Sequence, residues 1–351
     1  MENTLISREL VAKALEGFGF SCPVSEMETI QYYEGPDRLR AVVKAALSDG
    51  REVVVKLFDD PFVTKAALQG QALLRHCYTG AGIKVPSQYR TLDDLFYLSA
   101  KAAKWSLSIT AEEFIKGTEM RQASLRHMSE LGSILGRMHL ASERDGIRIG
   151  SRTMWSMRAD GTERGFGECH DMLAFNLFMR DYSHLAGARE HHGLVRSIID
   201  TFQCKLKELE TVWDELPSGA VHGDLSPNNV LLDQKTGIAG IVDFHTAGDE
   251  VFVNDLVSEG LLLAYSSDMT NTFDEQTIDC YLETFVSAYL GERAVNGLEL
   301  AALNNLYCVL RSFWFSRLKS SQQLLEKQAS DELNHFLEMT RDLLEGSPSG
   351  N

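Results

Sequence analysis

The spacing of apolar residues in this chain changes once, near residue 115, from a period of about two to a period of about 3.6. Ahead of the change, "METIQYYEG", "LRAVVKAALSDG" and "REVVVKLF" read as strands, with "SDGR" as a tight turn between the last two. "GIKVP", "QYRTL", "LFYLSA" and "SLSITAEEF" read as further short strands. Helices are expected over 7–20, where Leu10, Ala14, Leu15 and Phe18 fall near helical spacing, and over 64–79. Beyond "IKG" (Ile115 to Gly117) the pattern is helical. Residues 121–142 carry Leu125, Met128, Leu131, Leu135 and Met138 on one face, 194–215 form a second long helix, and 254–266, 275–290, 297–318 and 321–345 follow. The expectation is an α+β chain in two lobes: a small antiparallel sheet with a helix against it over 1–115, then a larger, mostly helical part over 116–351. At 351 residues, each lobe has enough chain for its own core. The polar, Gly-rich segment 144–169 is expected to be a loop.

Fifty acidic residues against 34 basic ones give a net charge of −16. That argues against nucleic acid, whose phosphates need a basic face, and is compatible with a cationic or amine-bearing small molecule. No apolar run approaches the roughly 20 residues that cross a bilayer. The start, "MENTLISRELVAKALEGF", carries charges where a signal peptide has its apolar centre. A cytoplasmic protein with no membrane partner is therefore expected. Cys22, Cys77, Cys169, Cys204, Cys280 and Cys308 form no CxxC pair and read as buried free thiols rather than a zinc site or a disulfide framework. The oligomeric state is left open.

Chemistry concentrates in "AVHGDLSPNNVLLDQKTGIAGIVDFHTAG", Ala220 to Gly248, where His222, Asp224, Asn228, Asn229, Asp243 and His245 surround two short apolar runs. "VLL" and "IAGIVDF" are strand-like, and "DQKTG" is turn chemistry, with Gly237 free to take a positive φ. Closing that hairpin brings Asn229, just ahead of the first strand, beside Asp243 at the end of the second. An amide oxygen and a carboxylate at one sheet end make an oxygen-rich site of the kind that suits Mg²⁺. Asp224, in a loop pinned by Gly223 and Pro227, is placed to face the same site without being needed as a ligand, which is the position of a proton acceptor. Three readings compete: a surface hairpin whose Asp and Asn residues form turns, a transition-metal hydrolase with His222, Asp224, Asp243 and His245 as ligands, and a phosphoryl-transfer site. The hydrolase reading leaves the pairing of Asn229 with Asp243 unexplained and makes no use of the N-terminal sheet.

"HGDLSPNN" followed by "IVDF" closely resembles the HGDLxxxN … (I/V)DF pattern of the aminoglycoside phosphotransferase family, which includes choline, homoserine and fructosamine kinases and is built like the protein kinases. The resemblance covers most of residues 25–320. It implies Asp224 as catalytic base, Asn229 and Asp243 as Mg²⁺ ligands, and His222 as a structural member of the loop. "REVVVKLF" looks like the third strand of the N-lobe, so Lys56 would grip the nucleotide phosphates, with Lys44 in reserve; strand alternation puts Val54 and Phe58 on the face of Lys56, where they could cover a nucleotide base. "AEEFIKG" looks like the hinge between lobes, implying that the Glu113 carbonyl and the Ile115 amide bind the base edge. "LGSILGRMH" resembles the first C-lobe helix, with His139 as a packed histidine, and Asp255 of "NDLVSEG" would cap a helix and brace the catalytic loop.

Two features depart from the family pattern. Residues 61–92 contain no glutamate to pair with the strand lysine, so Gln69, Gln71 or an acid from elsewhere must orient Lys56. There is no GxGxxG loop either, so "YYEGPDR" (Tyr32 to Arg38) must cover the phosphates. The implied protein is a Mg²⁺-dependent kinase that uses ATP or GTP and a small hydroxyl-bearing acceptor. Asp249, Glu250 and Glu259, with Glu168 and Asp171, are candidates to hold an amine on that acceptor. Antibiotic phosphorylation and a metabolic kinase of homoserine, choline or a sugar are the two options. A catalytically weak nucleotide-binding regulator is the alternative of another class. Trp314 and Phe315 are expected to fill the helical core.

Overall fold

The computed structural model describes residues 6–60, 63–153, 155–157, 180, 191–233, 235, 237–266, 275–327 and 329–346. The expected loop beyond residue 157, together with Glu168, Asp171 and Cys169, lies outside the described residues, as does the Phe315 side chain.

The first part is a five-stranded antiparallel sheet in the order β1-β2-β3-β5-β4, from β1 (Val24–Glu34), β2 (Leu39–Leu47), β3 (Glu52–Asp59), β4 (Leu98–Ala102) and β5 (Trp105–Glu113). Alternation puts Val43, Val53, Val55, Leu57, Leu107 and Ile109 on one face, where helix α1 (Arg8–Gly17) adds Val11 and Leu15 to close a core. The other face of β3 and β5 carries Val54, Lys56, Thr110 and Glu112, and looks into the cleft. Helix α2 (Lys65–Gly80), capped by Thr64, shares Leu74 and Tyr78 with the core of the second part.

That second part is built on α3 (Leu125–Asp145), α4 (His192–Val212), α5 (Phe252–Tyr265), α6 (Glu275–Glu292), α7 (Gly297–Ser312), α8 (Phe315–Glu326) and α9 (Ser330–Glu345). α3 and α6 approach closely because α3 presents glycines: a Cβ on Gly132 would lie 2.2 Å from the Phe285 carbonyl oxygen. α5 runs through the interior, buried along nearly its whole length. Short strands carry the connecting loops: β6 (Thr118–Glu119), β8 (Val230–Asp233) and β9 (Gly237–Ile241) form one sheet, and β7 (Ser218–Val221) pairs with β10 (Gly248–Val251). Among the described residues no helix is long and apolar enough to cross a membrane.

The expected α+β architecture is observed, with local corrections. "GIKVP" and "QYRTL" are not strands. Their backbone serves separate partners, Lys84 O of the first accepting from Ile241 N and Tyr89 N of the second donating to Ala111 O, so no continuous ladder forms beyond an isolated bridge from Gln88 to Glu112. The helix expected over 297–318 breaks after Ser312, where Trp314 leaves the helical path to stack between Trp155 and Tyr265 at 5.6 and 6.0 Å. The one over 321–345 is divided between α8 and α9. Cys204 and Cys280 are exposed thiols, whereas Cys77 and Cys308 are buried as expected.

Candidate active site

The hairpin closes as the sequence implies. Val230 pairs with Ile241 and Leu231 with Gly240, and Val242 N donates to the Asn229 carbonyl at 2.9 Å. Asn229 ends a 3₁₀ turn begun by Pro227 and is buried. Its NH₂ group donates to Asp224 Oδ2 at 2.8 Å and to the Asp224 carbonyl at 3.0 Å. This leaves the Asn229 amide oxygen, which accepts from Asn228 Nδ2, as the group it can offer to a cation. Asp224 Oδ1 accepts from Ser226 N, so the carboxylate is fixed on both oxygens by its own loop.

The loop is shaped from beneath. Gly223 sits at φ +73, and a Cβ there would lie 2.9 Å from Thr153 Cγ2, so glycine is required twice over. His222 uses both ring nitrogens internally, Nε2 donating to the Val242 carbonyl at 3.0 Å and Nδ1 accepting from Asp224 N. Burial holds its pKa below the ordinary value and keeps it neutral, as that bonding pattern requires. It therefore has no nitrogen to give to a metal. Among the described residues no group of three or more His, Cys, Asp or Glu side chains is placed to hold one, so the hydrolase reading has no ligand set.

Asp243 adopts φ +64, ψ 78, a left-handed conformation rare for a residue with a side chain. It is followed by buried Phe244, whose ring meets His222 and Tyr78. Lys56 Nζ reaches Asp243 Oδ1 at 3.3 Å, while Arg40 Nη2 and His245 Nδ1 lie 2.6 and 3.2 Å from Oδ2. Burial by itself would raise this carboxyl; Lys56, His245 and Arg40 outweigh it and hold Asp243 well below the usual carboxylate range. One carboxylate and one amide oxygen beside a cavity fit Mg²⁺, a hard cation that takes one or two protein oxygens and completes its shell with water and phosphate.

Lys56 has an unexpected anchor. It is 5% exposed, and its Nζ pairs with Glu112 Oε1 at 2.8 Å. The other oxygen, Oε2, lies 3.0 Å from Arg75 Nη2 of α2. Thr110 is directly opposite Lys56 and Glu112 opposite Val54, so lysine and glutamate are diagonal neighbours on one sheet face. The missing helix glutamate is thus replaced by a strand glutamate, and the helix contributes an arginine instead. Gln71 does not reach Lys56; it donates to the His245 carbonyl at 3.4 Å, and Gln69 is exposed. The signal for Glu112 was the alternation Trp105-Leu107-Ile109-Ala111, which puts Glu112 on the face away from the core.

A cavity of about 380 Å³ collects these groups between the lobes. Ile30, Val42 and Val54 line it from the sheet, Leu231 and Val242 from the hairpin, and Glu113, Phe114 and Ile115 from the segment after β5; Lys56, Asn229 and Asp243 also line it. Phe58, expected on this wall, is buried and is not among its lining residues. Lys44 is held elsewhere, paired with Glu52 at 2.7 Å and set over the Phe114 ring.

Of the acidic residues expected at the acceptor, the described ones, Asp249, Glu250 and Glu259, do not line this cavity. Glu259 is fully buried and accepts from Leu225 N at 2.7 Å, so it braces the loop that carries Asp224; burial, with Asp255 and Asp224 nearby, pushes its pKa well up. Asp255 is not the helix cap: it lies inside the first turn of α5 and bonds His139 at 2.9 Å, with both side chains buried. Asp249 accepts from Ile149 N and Gly150 N, and Glu250 from Thr153 Oγ1 and Val251 N; both line a separate cavity beside Arg148, Arg152 and Trp213.

A model of the phosphotransferase enzyme family matches residues 37–295. Homoserine kinase of Nitrobacter winogradskyi is 27% identical over 193 residues, 54% of this chain and 50% of that protein. Homoserine kinase of Rhodospirillum rubrum is 27% identical over 144 residues, 41% and 38% of the two chains. The chain thus spans about half or less of the length of these relatives. Among solved structures, a microcompartment-associated aminopropanol kinase aligns over 97% of this chain and 95% of its own, with a TM-score of 0.58 and 16% identity. An amicoumacin kinase, solved with AMP-PNP, Ca²⁺ and Ami, aligns over 98% and 95%, with a TM-score of 0.56 and 14% identity. At those identities the likeness establishes the fold, a two-lobed kinase-like one.

Proposed function

Because this chain belongs to the phosphotransferase enzyme family, we propose that it transfers the terminal phosphate of ATP or GTP to a hydroxyl group of a small, amine-bearing molecule. One observation carries the reading: Lys56 of the sheet and Asp243 of the hairpin meet at 3.3 Å beside Asn229, which is itself bonded to Asp224, around one cavity between the lobes. Phosphoryl transfer asks a protein mainly for positioning and charge, and these residues supply both.

The apolar walls of Val42, Val54, Leu231 and Val242 receive the flat base, and the Glu113 carbonyl and Ile115 amide bind its edge. Lys56 neutralises phosphate oxygens. Asn229 and Asp243 would hold Mg²⁺, which when bound would supply charge neutralisation on the phosphates. Asp224 accepts a hydrogen bond from the acceptor hydroxyl. A hydroxyl is too weak an acid to ionise beforehand, so Asp224 takes the proton late, as the new oxygen–phosphorus bond forms and the bond to the leaving diphosphate breaks. His222, Gly223 and Glu259 keep the loop in shape, the last through Leu225 N.

An uncompensated Lys56, with no helix glutamate to orient it, is the ground for the regulator alternative. Glu112 supplies that acid from β5, which removes the motive. For the acceptor, the homoserine kinase relatives favour an amino-acid alcohol over a bulky antibiotic. The test is a panel of hydroxyl compounds (homoserine, other amino alcohols, choline, sugars, aminoglycosides) incubated with Mg-ATP or Mg-GTP and read by mass spectrometry for an added phosphate. Phosphorylation of an amino alcohol is the expected result. Nucleotide binding with no product from any compound rejects the enzyme reading in favour of the regulator.

A further inference from the structure

Arg40 takes no part in the roles assigned so far, yet it makes the shortest contact to the carboxylate at the centre of the cleft, 2.6 Å from Asp243 Oδ2. It stands on β2 two residues from Val42, so both side chains project from the same sheet face; Val42 lines the cavity, and Arg40 lies one step nearer the β1–β2 turn. Val42 is paired with Lys56 and Arg40 with Phe58, so Arg40 and Lys56 are diagonal neighbours on that face. Each grips one oxygen of the same Asp243 carboxylate. A nucleotide whose base sits against Glu113 and Ile115 runs its phosphates past Lys56 toward this end of the sheet. Among the described residues, the buried Arg40 Nε has no hydrogen-bond partner, so the guanidinium has donor capacity that the ion pair does not use.

A divalent cation bound to Asp243 competes with Lys56, Arg40 and His245 for the same two oxygens. Lys56 has a second anchor in Glu112 and can stay. Arg40 is a flexible side chain, about one-fifth exposed, and of the two it is the one free to turn away. We propose that Arg40 is a phosphate ligand held in reserve: in the empty cleft it neutralises Asp243, and when a divalent cation takes that carboxylate it turns onto the terminal phosphates of the nucleotide. The exchange keeps every charge paired in both states, and the planar fork of arginine suits phosphate oxygens. This assignment rests on the phosphotransferase reading above.

The experiment is calorimetric binding of Mg-ATP and Mg-GTP, and of adenosine and guanosine, to the parent protein, Arg40→Ala and Arg40→Lys. Loss of one charge-assisted phosphate contact weakens triphosphate binding by roughly 10- to 100-fold in Arg40→Ala, with Arg40→Lys intermediate. The matching nucleoside binds all three proteins alike. Equal triphosphate affinity in parent and Arg40→Ala reduces the contact to an ion pair between lobes and overturns the proposal. Tighter triphosphate binding in Arg40→Ala makes Arg40 a plug and overturns it as well. A loss shared by the nucleoside marks damage to the base pocket, again overturning it. If the parent protein binds neither triphosphate, the phosphotransferase reading fails with it; the other three outcomes leave that reading standing.

Discussion

Replacing Glu112 removes the carboxylate on which both Lys56 and Arg75 lean. The three side chains are nearly inaccessible, with contacts of 2.8 and 3.0 Å. Deleting one partner of a buried ion pair costs about 3–5 kcal/mol, because it strands the other charge. Here each cation keeps a secondary partner. Lys56 retains Asp243 at 3.3 Å, and Arg75 retains Gln88 and the face of Phe244. Glu112→Ala should therefore fall at the lower end, about 3 kcal/mol. Glu112→Gln keeps the volume and one acceptor oxygen, and should cost about 1–3 kcal/mol. Urea unfolding measures both. The functional signature is separate: on the proposed role of Lys56, replacing its charged anchor by a neutral one holds it less firmly toward the phosphates, so Glu112→Gln should raise the nucleotide KM by about tenfold, equivalent to about 1.4 kcal/mol. Arg75→Ala is the control. It destabilises the junction with α2 but leaves the Lys56–Glu112 contact in the sheet, so KM should stay within about threefold. A KM that rises as much in Arg75→Ala as in Glu112→Gln would refute the reasoning, since the helix rather than the sheet would then be positioning the lysine.

Asp224→Asn should lower kcat by about 10²–10⁴-fold, with nucleotide affinity nearly unchanged, because the amide keeps the volume of the side chain and one of its two loop contacts, from Ser226 N or Asn229 Nδ2, but cannot accept the proton; rapid kinetics with the identified acceptor checks this, and unchanged turnover contradicts it. Gly223→Ala forces a side chain into the positive-φ region and against Thr153, so it should lower stability by about 1–3 kcal/mol and reduce turnover more than nucleotide binding. Burial pushes the Glu250 carboxyl from an ordinary 4.5 up to about 7. Below pH 4.5 both folded and unfolded chains hold this proton; between pH 4.5 and 7 only the folded chain does, so stability falls as pH rises through that window, by about 3 kcal/mol at about 1.4 kcal/mol per pH unit. Glu250→Gln removes that decline, and urea midpoints of the two proteins at pH 5 and pH 8 should diverge accordingly; parallel midpoints would show that Glu250 ionises normally in the folded state.

What the sequence determined by itself is what short-range periodicity and turn chemistry encode. The alternation of β2, β3 and β5, the helical stripe of α3 and the turn before Gly237 each follow from residues within a dozen positions of one another. The hairpin that brings Asn229 and Asp243 to one cavity is nearly as local, joining residues 14 positions apart. Tertiary structure decided which charges meet. Alternation places Glu112 and Lys56 on cleft-facing positions of their own strands, but only the sheet order, with α2 and β4 intervening in sequence, makes β3 and β5 neighbours. Arg40 reaches Asp243 only because the lobes close on each other. Glu259, expected from the sequence to hold an amine of the acceptor, is buried because α5 runs through the interior beneath the loop that carries Leu225. Periodicity fixes the face from which a side chain projects, whereas its partner and its burial depend on elements far away in the chain, and burial sets whether a carboxylate stays charged or holds its proton.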